Sequence, residues 1–164
     1  MALTITPTVN DAIRAHGVET YPNECCGALY GSNGVITDTY ALPNVTEEGP
    51  RRRFRISDKD YMKTERRASE LGAELLGFYH SHPDHPARPS QYDLDHAFPT
   101  FSYIIVSVRG GVPEDMTSWR LRDDRSAFDP EELAVGAPVN SMGPSEEPAS
   151  PKRDARRRAD ITTA

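Results

Sequence analysis

Two histidines at alternate positions, His80 and His82, precede a proline-rich stretch that ends in Ser90 and Asp93. In an extended strand, residues i and i+2 point the same way, so His80 and His82 can offer two imidazoles to one ion. In a helix, residues i and i+3 share a face, so Ser90 and Asp93 project together. Two neutral imidazoles and one carboxylate form a three-ligand set suited to Zn²⁺, one ion per chain, with a fourth position left for water. Such an ion lowers the pKa of bound water toward about 7, which makes hydroxide available at neutral pH. A base must then collect the proton and pass it to a leaving amine. Ser90 has no suitable pKa for that task, but its hydroxyl can donate to the oxyanion that forms when water attacks a carbonyl. The base should be a carboxylate from elsewhere in the chain, and Glu24 is the candidate.

Each piece also has an ordinary explanation. With five histidines in the chain, an isolated His-x-His arises by chance in roughly one chain in seven. Ser90-x-x-Asp93 after a proline reads equally as a helix cap with an acidic third residue, and Glu24 alone reads as a surface carboxylate. In combination, these residues at these offsets arise by chance on the order of once in a thousand such chains, which favours the metal site. His85 and Asp84 read as a solvated loop tip, and His96 and Asp95 as the outer face of a helix. Cys26 reads as a small buried residue, Trp119 as core, and Cys25 stays unassigned.

The elements that must position these groups follow from periodicity. Thr6-Pro7 with Val9, Ala12 and Ile13 predicts a helix over 7–16 closed by Gly17. Residues 27–30 and 35–40 flank Gly31-Ser32-Asn33-Gly34 and predict a hairpin. Residues 43–52 read as loop and Phe54-Arg55-Ile56 as a short strand. Ser57 or Asp58 then caps a second helix with Tyr61, Thr64, Ala68 and Leu71 on one face, ending at Gly72. Leu75 to Tyr79 is an apolar strand running into His80. Pro83, Pro86 and Pro89 force a loop, and Ser90 starts a third helix with Leu94, Ala97 and Phe98 inward. Strands follow at 103–108 and 116–121, so a mixed α/β arrangement, a β-sheet wrapped by helices, is expected.

The length of 164 residues suits one domain plus some extra chain. The mean hydropathy of −0.63 is low for a fully folded chain. Residues 131–164 supply the deficit: rich in Gly, Pro, Ser and mixed charge without apolar periodicity, they are expected to form a disordered tail behind a domain over 1–130. A net charge of −6 argues against nucleic acid as a partner, and the run Arg51, Arg52, Arg53, Arg55 reads as a solvated loop. Neighbouring Cys25 and Cys26 supply no disulfide framework. The N-terminus lacks a secretory pattern and no apolar run approaches the roughly 20 residues that span a bilayer, so a soluble, cytoplasmic protein without membrane contact is expected.

Glu24 with Cys26-Gly27, then Gly77-Phe78-Tyr79-His80-Ser81-His82-Pro83, Pro89-Ser90 and Asp93 resembles the JAMM (MPN+) metallopeptidases over residues 4 to about 130. Their signature is a distant Glu, then His-x-His-Pro, six residues, and Ser-x-x-Asp. Asn44 and Phe54 also stand where simple prokaryotic members tend to carry Asn and Phe. The resemblance implies an MPN fold of cytidine-deaminase-like architecture. It further implies zinc on His80, His82 and Asp93, Glu24 as acid/base, and Ser90 supporting the tetrahedral intermediate. Family members cleave after the C-terminal glycine of ubiquitin-like proteins, and the small prokaryotic members are linked to sulfur carriers ending in Gly-Gly. The chain has no room for the long insertions with which eukaryotic members grip ubiquitin, which favours a small carrier; a homodimer is allowed for. The doubled Cys25-Cys26 and the tail depart from the pattern. Two other readings compete: a non-catalytic MPN scaffold, expected to purify without stoichiometric zinc, and a DNA-repair-associated relative, expected to bind DNA in a salt-dependent way.

Overall fold

A computed structural model of the chain describes residues 2–136. The elements are β1 (Ala2–Ile5), α1 (Pro7–Thr20), β2 (Cys26–Ser32), β3 (Val35–Leu42) and α2 (Asp58–Leu71). They continue with β4 (Glu74–Pro83), α3 (Gln91–His96), β5 (Ser102–Arg109), β6 (Val112–Leu121) and β7 (Phe128–Val135). The strands pair in the order β1-β3-β2-β4-β5-β6-β7, and β1 closes the ring on β7 in parallel. The sheet is mixed, as expected, but it is a closed barrel. The closing strands are those that the sequence did not announce.

β4 carries the histidines and sits in the middle of this order. It pairs antiparallel with β2 and parallel with β5. Side chains along it alternate between two cores. Tyr79 packs with Val9, Ile13, Leu29, Ile104 and Val106 on the α1 side. Phe78 packs with Ala28, Tyr30, Ala68 and Tyr103 on the α2 side. His80 and His82 share the parity of Phe78 and so face α2 and α3. Gly77 makes the β4–β5 pairing possible, since a Cβ there would lie 1.8 Å from the Ser102 carbonyl oxygen.

Several expectations are corrected. α1 runs through Gly17 to Thr20. Gly17 is a packing position, where a Cβ would stand only 3.0 Å from Val108, so smallness and not helix ending explains it. α2 is capped by the Ser57 side chain and closed by Gly72 at φ 63, as read from the sequence. Phe54–Ile56 is not a strand, because the Arg55 N–H donates to the Asn44 side chain instead of a neighbouring strand. Leu71 and Phe98, expected inward, are 39% and 52% exposed. α3 ends at His96 and Ala97 leaves helical backbone, so Phe98 falls off the helical period. Trp119 is only half-buried. β7 extends past the expected boundary at 130, pairing with both β6 and β1, so the sheet includes residues to Val135. The expected tail from 137 onward lies outside the described residues. Among the described residues no helix is long and apolar enough to cross a membrane.

Candidate metal centre

The strand and the helix meet as their sequences require. His80 and His82 leave the same face of β4 and are each about 1% exposed. Asp93 sits in the first turn of α3, whose N-cap is Ser90. His80 Nε2 and His82 Nε2 are 3.2 Å apart, and Asp93 Oδ2 lies 3.3 Å from the first and 3.2 Å from the second. Neighbouring ligands of a tetrahedral ion with bonds of about 2.0–2.1 Å stand about 3.3 Å apart, so the triangle has the dimensions of one face of such a site. Two lone-pair nitrogens also have no reason to converge in a dry interior unless a cation or a shared proton lies between them. These residues can hold a metal ion.

The orientation of His82 is fixed from behind. Its Nδ1 is 2.8 Å from the Pro86 carbonyl oxygen and must donate to it, which leaves the Nε2 lone pair facing the cluster. The His85 ring stacks on the other face of His82 at 4.0 Å, and Phe54 stacks on His80 at 4.5 Å. His85 is therefore a packed residue, correcting its reading as a solvated loop tip. Asp84 is exposed, with its carboxylate tied to the Tyr21 hydroxyl and the Gly110 N–H, each at 2.7 Å.

Asp93 serves two structures at once. Its Oδ2 accepts from the Ser90 N–H at 2.8 Å while the Ser90 Oγ accepts from the Asp93 N–H at 3.1 Å. The plain reading of these residues as a helix cap is met by the capping box, and the same geometry sets Asp93 against the two imidazoles. Burial would push the Asp93 carboxyl up, but the charge on His80, hydrogen bonds from His80 and His82 and the Ser90 N–H together hold it well below the usual range. The carboxylate is thus ionised and available to a cation.

Glu24 reaches the site through strand register. Cys26 stands opposite His80 in the β2–β4 pair, so the residue two before it falls near the residue two after His80. Accordingly Glu24 Oε1 is 3.9 Å from His82 Nε2. Glu24, His80 and His82 also keep their donor atoms within 4.8 Å of one another, which makes an overlapping triad. Asp93 fits the triangle better, because 3.9 Å exceeds the edge of a tetrahedral site. Glu24 is 1% exposed, and neither carboxylate oxygen has a hydrogen-bond partner among the described residues. Burial, with a smaller contribution from Asp93, pushes its pKa up to about 9. A buried carboxyl without partners is costly to keep, and it faces the cluster.

Of the groups that hold the Glu24 segment, only Asn44 is marked in the sequence, by the family resemblance and without a role. The Cys25 N–H donates to Ser81 Oγ at 2.8 Å, and Asn44 Nδ2 donates to the Glu24 carbonyl at 3.2 Å and the Arg53 carbonyl at 3.0 Å. The Glu24 N–H donates to the Pro50 carbonyl at 2.7 Å. Ser81 lies between the two histidines on the opposite parity, and that position was its available signal. Cys25 and Cys26 are buried in the two cores. Burial raises the Cys25 thiol to about 11 and the Cys26 thiol further, so neither is a nucleophile. His96 and Asp95 are exposed on α3, as expected.

Two clefts flank the cluster. An apolar one of about 450 Å³ includes Phe54, Tyr61, Phe78, His80, Asp93 and Phe98. A second of about 530 Å³ is lined by the charged and polar residues Arg51, Arg52, Asp84, His85 and Ser90, with Pro22 and Pro83.

Comparison with known proteins places the chain in a family. The family of prokaryotic homologs of the JAB domain matches residues 6–122. The chain belongs to that family. Among curated relatives, the desampylase of Haloferax volcanii is 32% identical over 66% of this chain and 82% of its own length. The CysO-cysteine peptidase of Mycobacterium tuberculosis is 27% identical over 78% of this chain and 88% of its own. A JAB1/MPN domain protein from Archaeoglobus fulgidus, 21% identical, superimposes with a TM-score of 0.55 over 82% of this chain and 98% of its own, which shows the shared fold. The expected MPN fold is thus borne out.

Proposed function

We propose that this JAB-domain chain is a zinc-dependent peptidase or isopeptidase that hydrolyses the bond after the C-terminal glycine of a ubiquitin-like or sulfur-carrier protein conjugate. The observation that carries the reading is the triangle of His80, His82 and Asp93, with edges of 3.2–3.3 Å, facing the unpartnered carboxyl of Glu24. The names of the two relatives, a desampylase and a peptidase of a cysteine-bearing carrier, support the substrate class. A Gly-Gly tail is the natural fit, because two residues without Cβ atoms let a backbone approach a buried cluster closely.

In this reading His80, His82 and Asp93 would hold the ion, and zinc bound there would supply an acidified water and Lewis-acid polarisation of a carbonyl. The Glu24 carboxylate accepts a proton from the attacking water and delivers it to the leaving nitrogen. The Ser90 hydroxyl donates to the carbonyl oxygen as charge develops there. Water is added across the amide: hydroxyl to the carbonyl carbon, hydrogen to the nitrogen, giving a carboxylate on the carrier and a free amine.

The test is mass-spectrometric cleavage of carrier–amino acid and carrier–peptide conjugates by the zinc-loaded protein. Cleavage directly after the terminal glycine is expected, and Glu24→Gln is expected to keep zinc and lose turnover by about 10²-fold or more. Absence of cleavage of any Gly-Gly conjugate at one zinc per chain would contradict the reading, and full activity of Glu24→Gln would remove Glu24 from its role.

A further inference from the structure

The arginine run that the sequence suggests is a solvated loop stands beside the metal cluster. Pro50 accepts the Glu24 N–H at 2.7 Å, and the N–H groups of Arg52 and Arg53 both return to the Gly49 carbonyl at 2.9 and 3.1 Å. Arg51 and Arg52 are therefore mounted on a closed turn that is bonded to the candidate base. Both line the second cleft, which also includes Ser90 and His85.

The charges in this cleft do not cancel. Arg53 is engaged, 2.7 Å from Glu48 and with its guanidinium over the Tyr92 ring. Arg51 and Arg52 have no carboxylate within 4.0 Å among the described residues. The one acid in the cleft, Asp84, is held as a carboxylate by the Gly110 N–H and the Tyr21 hydroxyl, and it offsets one of the two positive charges. His85 is turned away at Nδ1, which lies 2.8 Å from the Pro83 carbonyl. In a chain of net charge −6, two guanidinium groups against the single carboxylate of Asp84 leave this cleft, beside Ser90 and His85, with an excess of positive charge. Planar guanidinium groups match carboxylates in geometry as well as charge. The other cleft, which includes His80 and Asp93, is lined mainly by apolar side chains, so the two clefts offer different chemistry.

We propose that Arg51 and Arg52 form a subsite for a substrate carboxylate, and that this carboxylate is the free α-carboxylate of the residue released from the carrier. The inference rests on the function proposed above and narrows it. The preferred conjugate is a carrier extended at its C-terminus by an amino acid or short peptide with a free acid end, rather than one joined to a lysine side chain within another protein.

The experiment compares two conjugates of one carrier with the zinc-loaded protein: the C-terminal extension as a free acid and the same extension as a carboxamide. The free acid should have a KM about 10-fold or more below that of the amide, with similar kcat, and raised salt should narrow the gap. Arg51→Ala/Arg52→Ala should raise KM for the acid to the amide's value and leave the amide unchanged, while Arg66→Ala, on the exposed face of α2, should change neither. If wild type cleaves acid and amide equally, the subsite is refuted while the function stands. If the double variant weakens both substrates alike, the arginines bind an acidic surface of the carrier instead and the assignment to the leaving residue is overturned. If wild type cleaves neither substrate, the proposed function itself fails.

Discussion

Asp93 Oδ2 faces two imidazoles while it also accepts the backbone N–H of Ser90, so one atom ties helix entry to the candidate metal centre. Glu24 is the opposite case, a carboxyl buried without partners. Its pKa, raised by burial and Asp93 to about 9 from 4.5, has a consequence for stability in the metal-stripped protein. Between these two values the folded state keeps the proton that the unfolded state has lost, so folding is disfavoured progressively as pH rises. Denaturant midpoints of chelator-treated protein should fall from about pH 5 to pH 9, by at most about 1.4 kcal/mol per pH unit from this one group. Glu24→Gln should flatten that slope. A variant with the wild-type slope would show that Glu24 is not the titrating group.

At the scale of elements, the site is a product of register and capping. The β2–β4 register aligns Cys26 with His80, and the capping box at Ser90 sets the first turn of α3. Ser90 therefore has a structural role beside its proposed catalytic one, and two substitutions separate them. Ser90→Ala should cost about 1 kcal/mol of stability through the lost cap. Ser90→Asp keeps a capping acceptor and should restore the melting temperature, yet, with no hydrogen to donate, leave turnover about 10²-fold or more below wild type. Full activity of Ser90→Asp would reduce Ser90 to a cap. The metal-facing half of this arrangement was legible because strand and helix periodicities alone bring residues i, i+2 and i, i+3 onto one side. What holds Glu24 was not legible from spacing, although the family resemblance marked Asn44. Contacts such as Ser81 with Cys25 and Asn44 with Glu24 join residues 56 and 20 positions apart, and no local pattern encodes them.

At the scale of the whole molecule, closure of the barrel depends on its two least conspicuous strands. β1 has only four residues, and β7 contains Asp129, Pro130, Glu131 and Glu132, a composition that reads as loop. Its sheet membership comes from partners, since β7 lies between β6 and β1 and the Gly136 N–H returns to the Ile5 carbonyl at 2.9 Å. Tertiary pairing overrode propensity there, which is why the domain boundary expected at 130 falls within a strand. A chain ending at residue 136 should keep the far-ultraviolet spectrum and cooperative melting of the longer chain. One ending at 130 should melt lower or fail to fold. Equal stability of the two would show that β7 is dispensable.

The most direct test is metal content and coordination in the purified protein. Equilibration with zinc followed by elemental analysis and X-ray absorption should give one ion per chain with nitrogen and oxygen neighbours and no sulfur. Stoichiometry should collapse in His80→Ala, His82→Ala and Asp93→Ala and persist in Glu24→Gln. Wild-type protein that stays folded yet takes up no stoichiometric ion, or that keeps its ion when Asp93 is removed, would contradict a centre built on His80, His82 and Asp93.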